Sequence, residues 1–182
     1  MGTTKYTYKL SDMQLRVLNA ASQFEDVEGL TKFTIPDVEA GTEEISGQSG
    51  LLGTLELVDW ANVGALEFGL TFVGIPENGN LLIAPGVRDI KLYWAEKYAQ
   101  KDGTEGWDSY FVEVKGKLKK IPGGDGEKGS NRENELTYSA FYYHYKKNGK
   151  TIFEYDPANS IIKFYDKNYA DDLKAALMIE NA

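Results

Sequence analysis

The chain has 182 residues, long enough for a single domain with its own core, and 42% of them are hydrophobic, which is ordinary for a globular protein. Its 20 basic and 28 acidic residues leave a formal charge of −8, which disfavours specific binding to a nucleic-acid backbone. Cysteine is absent, so disulfides, thiolate nucleophiles and sulfur metal ligands are excluded. No apolar run approaches the ~18 residues of a membrane span, and we expect cytoplasmic synthesis and no membrane binding.

The first half of the chain predicts short strands separated by glycine and proline. No element is assigned before residue 30. A weak alternation over Leu30 to Ile35 predicts a strand, and the acidic stretch Asp37 to Gly53 predicts a long loop. Apolar runs at Leu55 to Trp60 and Ala65 to Val73 predict two strands, or a strand and a short helix. Glu77 to Ala84 predicts one or two helical turns.

The second half alternates more clearly. Val87 to Tyr98 and Trp107 to Ile121 are predicted strands, the first with Ile90, Leu92 and Trp94 on one face. A glycine-rich loop over about 122–134 precedes an aromatic strand, 136–146, whose two faces are both expected to meet protein. The dipeptide Asn148-Gly149 predicts a two-residue hairpin turn. Strands at 150–155 and 160–165 and a helix from 169 to about 180 complete the prediction.

These elements indicate a mainly β fold, a two-sheet β-sandwich or partly closed barrel with one or two short helices. No internal repeat is evident and no linker is long enough to divide the chain, so residues 1–182 are interpreted as one domain.

Residues Gly124 to Gly129 match G-x-G-x-x-G by letter, but the motif needs a strand on one side and a helix on the other. Here the loop joins two predicted strands and carries Asp125 and Glu127, which would repel a pyrophosphate. We therefore interpret it as a hairpin loop. His144 is the only histidine, lies in an aromatic strand and is interpreted as a packed or edge-exposed ring. No catalytic residue, metal site or cofactor is predicted.

Two groups of residues are candidates for contacts between subunits. The aromatic run in 138–145 exceeds what one small core can hide, so part of it is expected at an interface. The acidic loop is expected to reach a neighbouring copy, with glycines that let it adopt its bound shape. The candidate loop residues are Asp37, Glu39, Gly41, Glu43, Glu44, Gly47 and Gly50, and the candidate interface aromatics are Phe141, Tyr143 and Tyr145.

The order of features in the chain resembles the major tail tube proteins of contractile-tailed phages. The resemblance is carried by the run 115–118 (KGKL), the polar glycine loop, the aromatic strand, the turn 147–150 (KNGK), and 153–156 (FEYD) with Asn159 and Ile162. The run 33–36 (FTIP) and the glycine-bearing stretch to Leu57 resemble the same family's early strand and long loop. The resemblance covers most of the chain, from about residue 30 to 177.

The resemblance implies a structural virion protein, assembled in the bacterial host cytoplasm, and not an enzyme. It implies hexameric rings that stack into a tube inside a tail sheath, between a tube initiator or baseplate and a terminator protein. Phage DNA would be a non-specific passing cargo, repelled by an acidic bore.

Three alternatives stay open at this point. The same type of tube serves contractile bacteriocins and secretion or injection systems, which carry no DNA or carry effectors. A β-sandwich that grips carbohydrate with Trp94, Trp107 and the tyrosines belongs to a different functional class. A carboxylate-based hydrolase is the least favoured alternative, because it needs an acid pair that converges in a cleft.

Overall fold

A computed structural model describes residues 5–47, 53–121, 123, 128 and 130–176. It is dominated by β-strands. The elements are β1 (Lys5–Leu18), β2 (Phe24–Val27), β3 (Leu30–Thr34), β4 (Ala40–Ile45), β5 (Leu55–Val63), β6 (Leu66–Val73), α1 (Asn80–Ile83), β7 (Val87–Gln100), β8 (Glu105–Lys120), β9 (Glu133–Lys147), β10 (Lys150–Asp156), a 3-10 turn (Pro157–Asn159), β11 (Ile161–Phe164), β12 (Lys167–Asn168) and α2 (Ala170–Ala176).

One large antiparallel sheet has the strand order β12-β11-β10-β9-β8-β7-β1-β2. Strand β9 divides it into two layers, because its first half pairs with β6 and its second half pairs with β10. Strand β3 adds to the free side of β6. The β3-β6 layer packs on the β7-β8 layer, and Phe33 of β3 lies 4.8 Å from Trp94 of β7, measured between ring centroids. The sheet does not close into a barrel, so the fold is a mainly β, sandwich-like structure, as predicted.

The core lies between the two layers and takes alternate residues from each strand, as the period of two in a strand requires. Ile90, Leu92 and Trp94 are buried on β7, which confirms the predicted face of that strand. Tyr110, Val112 and Val114 of β8 pair with them across the ladder. Burial of such large side chains is the main stabilising contribution in a chain without disulfides.

The Asn148-Gly149 turn is also confirmed. Both residues have positive φ, 49° and 75°, which a two-residue turn of type I′ requires and which asparagine and glycine tolerate best. The backbone N–H of Asn148 donates to the Ser109 carbonyl (2.7 Å), so the turn is held against β8.

Two stretches differ from the expectation. The N-terminal region forms β1 and β2, and the bulges after Tyr6 and Leu10 explain why its sequence shows no clean alternation. Residues 40–45 of the expected loop form β4, which pairs with β5, and residues 48–52 lie outside the described part. Within the single chain, only one face of β9 is fully buried, and the expectation that its other face meets protein stays a prediction about a partner copy. A bulge at Phe141 shifts the alternation, and the outer face of β9 is exposed or half-buried.

Most of the glycine-rich loop, residues 122, 124–127 and 129, lies outside the described residues. The strands on either side of it, β8 and β9, are antiparallel neighbours, and no helix follows the loop. This context is that of a hairpin connection, and the strand-to-helix arrangement that a dinucleotide site needs is missing. The helix predicted from residue 169 is described as far as Ala176, and residues 177–182 lie outside the described part.

Candidate assembly surfaces

A two-stranded hairpin, hereafter the arm, stands apart from the large sheet and consists of β4 and β5. Its strands pair only with each other. Leu55, Leu57 and Val58 are between 42% and 58% exposed, and they occupy both faces of the ribbon because Leu57 and Val58 are consecutive. An isolated two-stranded ribbon is marginally stable in water, and apolar side chains on both of its faces indicate burial against a partner.

The base of the arm is shaped by close backbone packing. A Cβ added at Gly41 would lie 2.9–3.1 Å from atoms of Asn62, too close for any other residue without a shift of the ribbon. The register is irregular at this point, with Ala40 opposite Val63 and Gly41 opposite Asp59. Trp60 packs edge-on against Phe164 of β11, with ring centroids 4.6 Å apart. The Trp60–Phe164 contact connects the arm to the body of the subunit.

The acidic character of the protein is concentrated around the arm. Residues 33–87 contain no lysine, arginine or histidine and eight acidic residues, so this stretch carries a charge equal to the net charge of the whole chain. The remaining residues hold 20 acidic and 20 basic side chains and are balanced. The Debye length at physiological salt is about 8 Å, which is longer than the distance between groups in contact. A partner that touches this stretch therefore still interacts with its negative charge. The acids in this stretch are Asp37, Glu39, Glu43, Glu44, Glu56, Asp59, Glu67 and Glu77.

The candidate loop residues are placed as follows. Asp37, Glu39, Glu43 and Glu44 are all exposed, Glu43 and Glu44 on β4 itself. Gly41 lies in β4 near its bulge, and Gly47 follows the strand with φ 72°. Gly50 lies outside the described residues.

The three candidate aromatics do not share a surface. Phe141 is exposed at the bulge of β9. Tyr143 is buried in the core of its own chain, and Tyr145 is half-buried and stacked near Trp94, with centroids 6.0 Å apart. In this structure only Phe141 is available to a partner, because the Phe141 bulge directs the two tyrosines inward.

The carbohydrate alternative fails for a related reason. Trp94 is buried between Phe33 and Tyr110, whose ring stacks on it with centroids 5.1 Å apart. Only Trp107 is exposed, and a sugar platform built from both tryptophans does not exist in this fold.

The outer face of the large sheet carries a row of polar side chains that crosses β2, β1, β7, β8, β9, β10 and β11. Arg16 pairs with Asp26, and His144 lies between Glu113 and Glu154 in the ladder. Glu113 and His144 lie at the centre of the row, and burial has the largest effect on the pKa of each. It raises the pKa of Glu113 and lowers that of His144. The row contains three acidic and three basic side chains around His144, so it is a polar, roughly neutral wall. Its members are Asp26, Arg16, Lys91, Glu113, His144, Glu154 and Lys163.

His144 is a half-buried ring on the outer face of β9, in keeping with the packed or edge-exposed ring that the sequence predicted. Its Nε2 lies 3.0 Å from Thr151 Oγ1, and its ring meets Phe111 edge-on. Among the described residues, no three His, Asp or Glu side chains converge in a way that would hold a metal ion. The described helices are too short to cross a membrane.

The sequence reasoning missed Asp108, whose side chain is 1% exposed on the inner face of β8. Lys5 donates to its Oδ1 at 2.7 Å, Asn148 donates to the same oxygen at 2.9 Å, and Lys147 Nζ lies 3.1 Å from Oδ2. Burial alone would raise the pKa of Asp108, but these bonds outweigh it and lower the pKa to about 2. The cluster ties the start of β1 to the β9–β10 turn. The sequence did hold a signal for this cluster. Asp108 stands at an inward position in the alternation of β8, on the same face as Tyr110 and Val112, and a buried aspartate needs partners.

The comparisons with known proteins agree with this arrangement. A family model described as "Phage tail tube protein FII" matches residues 14–177. The chain belongs to this family. The match begins at residue 14, within β1, so it extends further toward the N-terminus than the resemblance predicted. The tail tube protein of Escherichia phage P2 is 26% identical over 153 residues, which cover 82% of this chain and 88% of that protein.

Membership of the family makes the protein a structural component of a phage tail tube, and so of the virion. The expected resemblance to tail tube proteins is confirmed. The arm is the exposed apolar surface on which its role in the tube can be examined.

Proposed function

We propose that six copies of this chain close into a ring and that the rings stack into the inner tube of a contractile phage tail. The observation that supports this best is the arm. It presents Leu55, Leu57 and Val58 to water on a ribbon that the rest of the chain does not cover. In an assembled tube another copy would cover these side chains. Because each is already about half buried, covering the rest would contribute roughly 1 kcal/mol per side chain.

Open sheet edges provide the second line of support. In the described part of the chain, the outer edges of β2, β3 and β12 have no strand beside them. Exposed edges promote uncontrolled aggregation unless they are paired, and ring closure pairs them between copies. Stacking of rings is head-to-tail and open-ended, so a tube initiator or baseplate protein and a terminator would limit the length.

The third element of the proposal is passive transport. DNA would pass as a non-specific cargo through a bore whose charge repels it. The net charge of −8 supports this, and so does the near-neutral charge of the polar row on the large sheet. We propose that the tube assembles in the host cytoplasm with the sheath around it.

Electron microscopy of the purified protein at high concentration tests the proposal. Six-fold rings and tubes are the expected result, and a species that stays monomeric even with its tail partners would refute the tube.

Filter binding at about 0.15 M salt should show no retention of duplex DNA by the tubes, and tight retention would refute the repelling bore. Co-sedimentation with the sheath protein of the same particle tests the contractile assignment. A particle that lacks a DNA-filled head would instead indicate a bacteriocin or injection device.

A further inference from the structure

The sequence contains two Asn-Gly dipeptides, Asn78-Gly79 and Asn148-Gly149. Asparagine before glycine deamidates readily, because glycine has no side chain to shield its backbone nitrogen. That nitrogen attacks the side-chain carbonyl carbon of the asparagine and loses its proton, and the side-chain nitrogen leaves as ammonia. Water then opens the resulting cyclic imide to aspartate or isoaspartate. Both dipeptides are therefore chemically labile wherever the chain is free to bring the two groups together.

The side chain of Asn148 is held against β8, although the turn itself is exposed to water. Its Oδ1 accepts a hydrogen bond from the Ser109 N–H (2.8 Å) and lies 3.4 Å from Ser109 Oγ. Its Nδ2 donates to Asp108 Oδ1 at 2.9 Å. Since Asp108 is a buried carboxylate, this last bond is of the stronger, charge-assisted kind. The amide is thus fixed at both of its polar atoms.

These contacts hold the amide away from the nitrogen that would attack it. Strand β9 lies between β8 and β10 in the sheet. The Asn148 side chain reaches toward β8, whereas Gly149 leads the chain into β10 on the other side of β9. For attack, the amide must swing from β8 toward the Gly149 nitrogen, which breaks its hydrogen bonds to Ser109 and Asp108. The tertiary contacts of the turn therefore oppose the reaction.

The second dipeptide is held in a different way. The Asn78 Nδ2 donates to the Asp26 carbonyl of β2 at 2.8 Å. The Gly79 N–H donates to the Pro76 carbonyl at 2.9 Å, in the turn before α1, so the attacking nitrogen is itself engaged. These contacts do not involve Asp108. The two asparagines therefore report on different parts of the fold.

We propose that Asn148 is a deamidation site that the fold keeps unreactive through Ser109 and Asp108, and that it reacts when the β9–β10 turn separates from β8. Both products lack the N–H that Asn148 donates to Asp108, so the reaction removes a contact that holds the turn in place. The site lies within one chain and does not depend on how copies assemble. It limits the chemical lifetime of a subunit that is not fully folded.

Peptide mapping by mass spectrometry measures deamidation at each asparagine separately, in a mildly alkaline buffer. In the natural chain, dilute and folded, Asn148 should deamidate at least tenfold more slowly than in the same chain unfolded in urea. A smaller ratio would overturn the proposal, because it would mean that the contacts with Ser109 and Asp108 give no useful protection.

Replacement of Asp108 tests the contact that carries the protection. Asp108→Ala removes the acceptor of the amide N–H and should raise the rate at Asn148 in the folded chain at least threefold. Asp108→Asn keeps the shape of the side chain and should raise this rate by a smaller factor. Asp166→Ala, in the exposed turn between β11 and β12, is the matched control and should leave the rate unchanged.

The rate at Asn78 separates release of the turn from general unfolding. Among variants whose circular dichroism shows a folded chain, a rise at Asn148 with an unchanged rate at Asn78 supports the proposal. An equal rise at both asparagines, or no rise at Asn148, would overturn it. If Asp108→Ala does not fold, Asp108→Asn carries the comparison with the same two criteria.

Discussion

The replacement Asp108→Asn removes the charge from the buried cluster at the start of β8. The folded pKa of Asp108, about 2, lies below its unfolded value of 3.8, so ionisation of this group favours the folded state. The difference corresponds to roughly 2.5 kcal/mol at about 1.4 kcal/mol per pKa unit. The side chains of Lys5 and Lys147 are 30% and 32% exposed, and solvent screening reduces the contribution to about 1–2 kcal/mol.

The sign of the shift gives the pH dependence. A group with a lowered folded pKa contributes its full stabilisation above the unfolded value and loses it as the pH falls through the folded value. The natural chain should therefore exceed Asp108→Asn by about 1–2 kcal/mol at pH 7, and the difference should shrink between pH 4 and pH 2.

Urea unfolding of dilute, unassembled protein at several pH values measures this difference. Asp166→Asn, in the exposed turn between β11 and β12, is the matched control and should be within about 0.5 kcal/mol of the natural chain. Equal stability of Asp108→Asn and the natural chain at pH 7 would refute the reasoning, as would a loss that does not change with pH.

Three further predictions concern the core, a turn and the arm. Tyr138→Phe removes the hydrogen bond from the tyrosine hydroxyl to the Leu82 carbonyl (2.9 Å) and should cost about 1 kcal/mol by urea unfolding; no change would contradict a role in holding α1. Gly149→Ala forces an alanine into φ 75° and should cost about 1 kcal/mol in the same assay, whereas Ala158→Gly in the exposed 3-10 turn should cost less. Leu57→Asp should leave the thermal midpoint of the monomer within about 2 °C but abolish sedimentable polymer, and tubes of normal yield would contradict burial of the arm in the assembly.

Much of the fold was readable from the sequence because the relevant signals are local. The alternation in β7 and β8 follows from the period of two in a strand, and the Asn148-Gly149 turn follows from the φ angles that these residues tolerate. The lack of cysteine excludes thiol chemistry by composition alone. The acidic stretch was recognised as a surface feature, because charge without a partner remains in water.

Only the tertiary structure decided which side chains are buried and which are paired, because these depend on strand register and on contacts between residues distant in sequence. A bulge at Phe141 sends Tyr143 into the core, although the sequence alone suggested an interface position for it. The burial of Asp108 requires Lys5 and Lys147, which are distant from it in sequence and reach it only through sheet pairing. The sequence by itself determined a mainly β, acidic tail tube protein. Pairing between distant strands decided which strands join the large sheet and left β4 and β5 outside it as the arm.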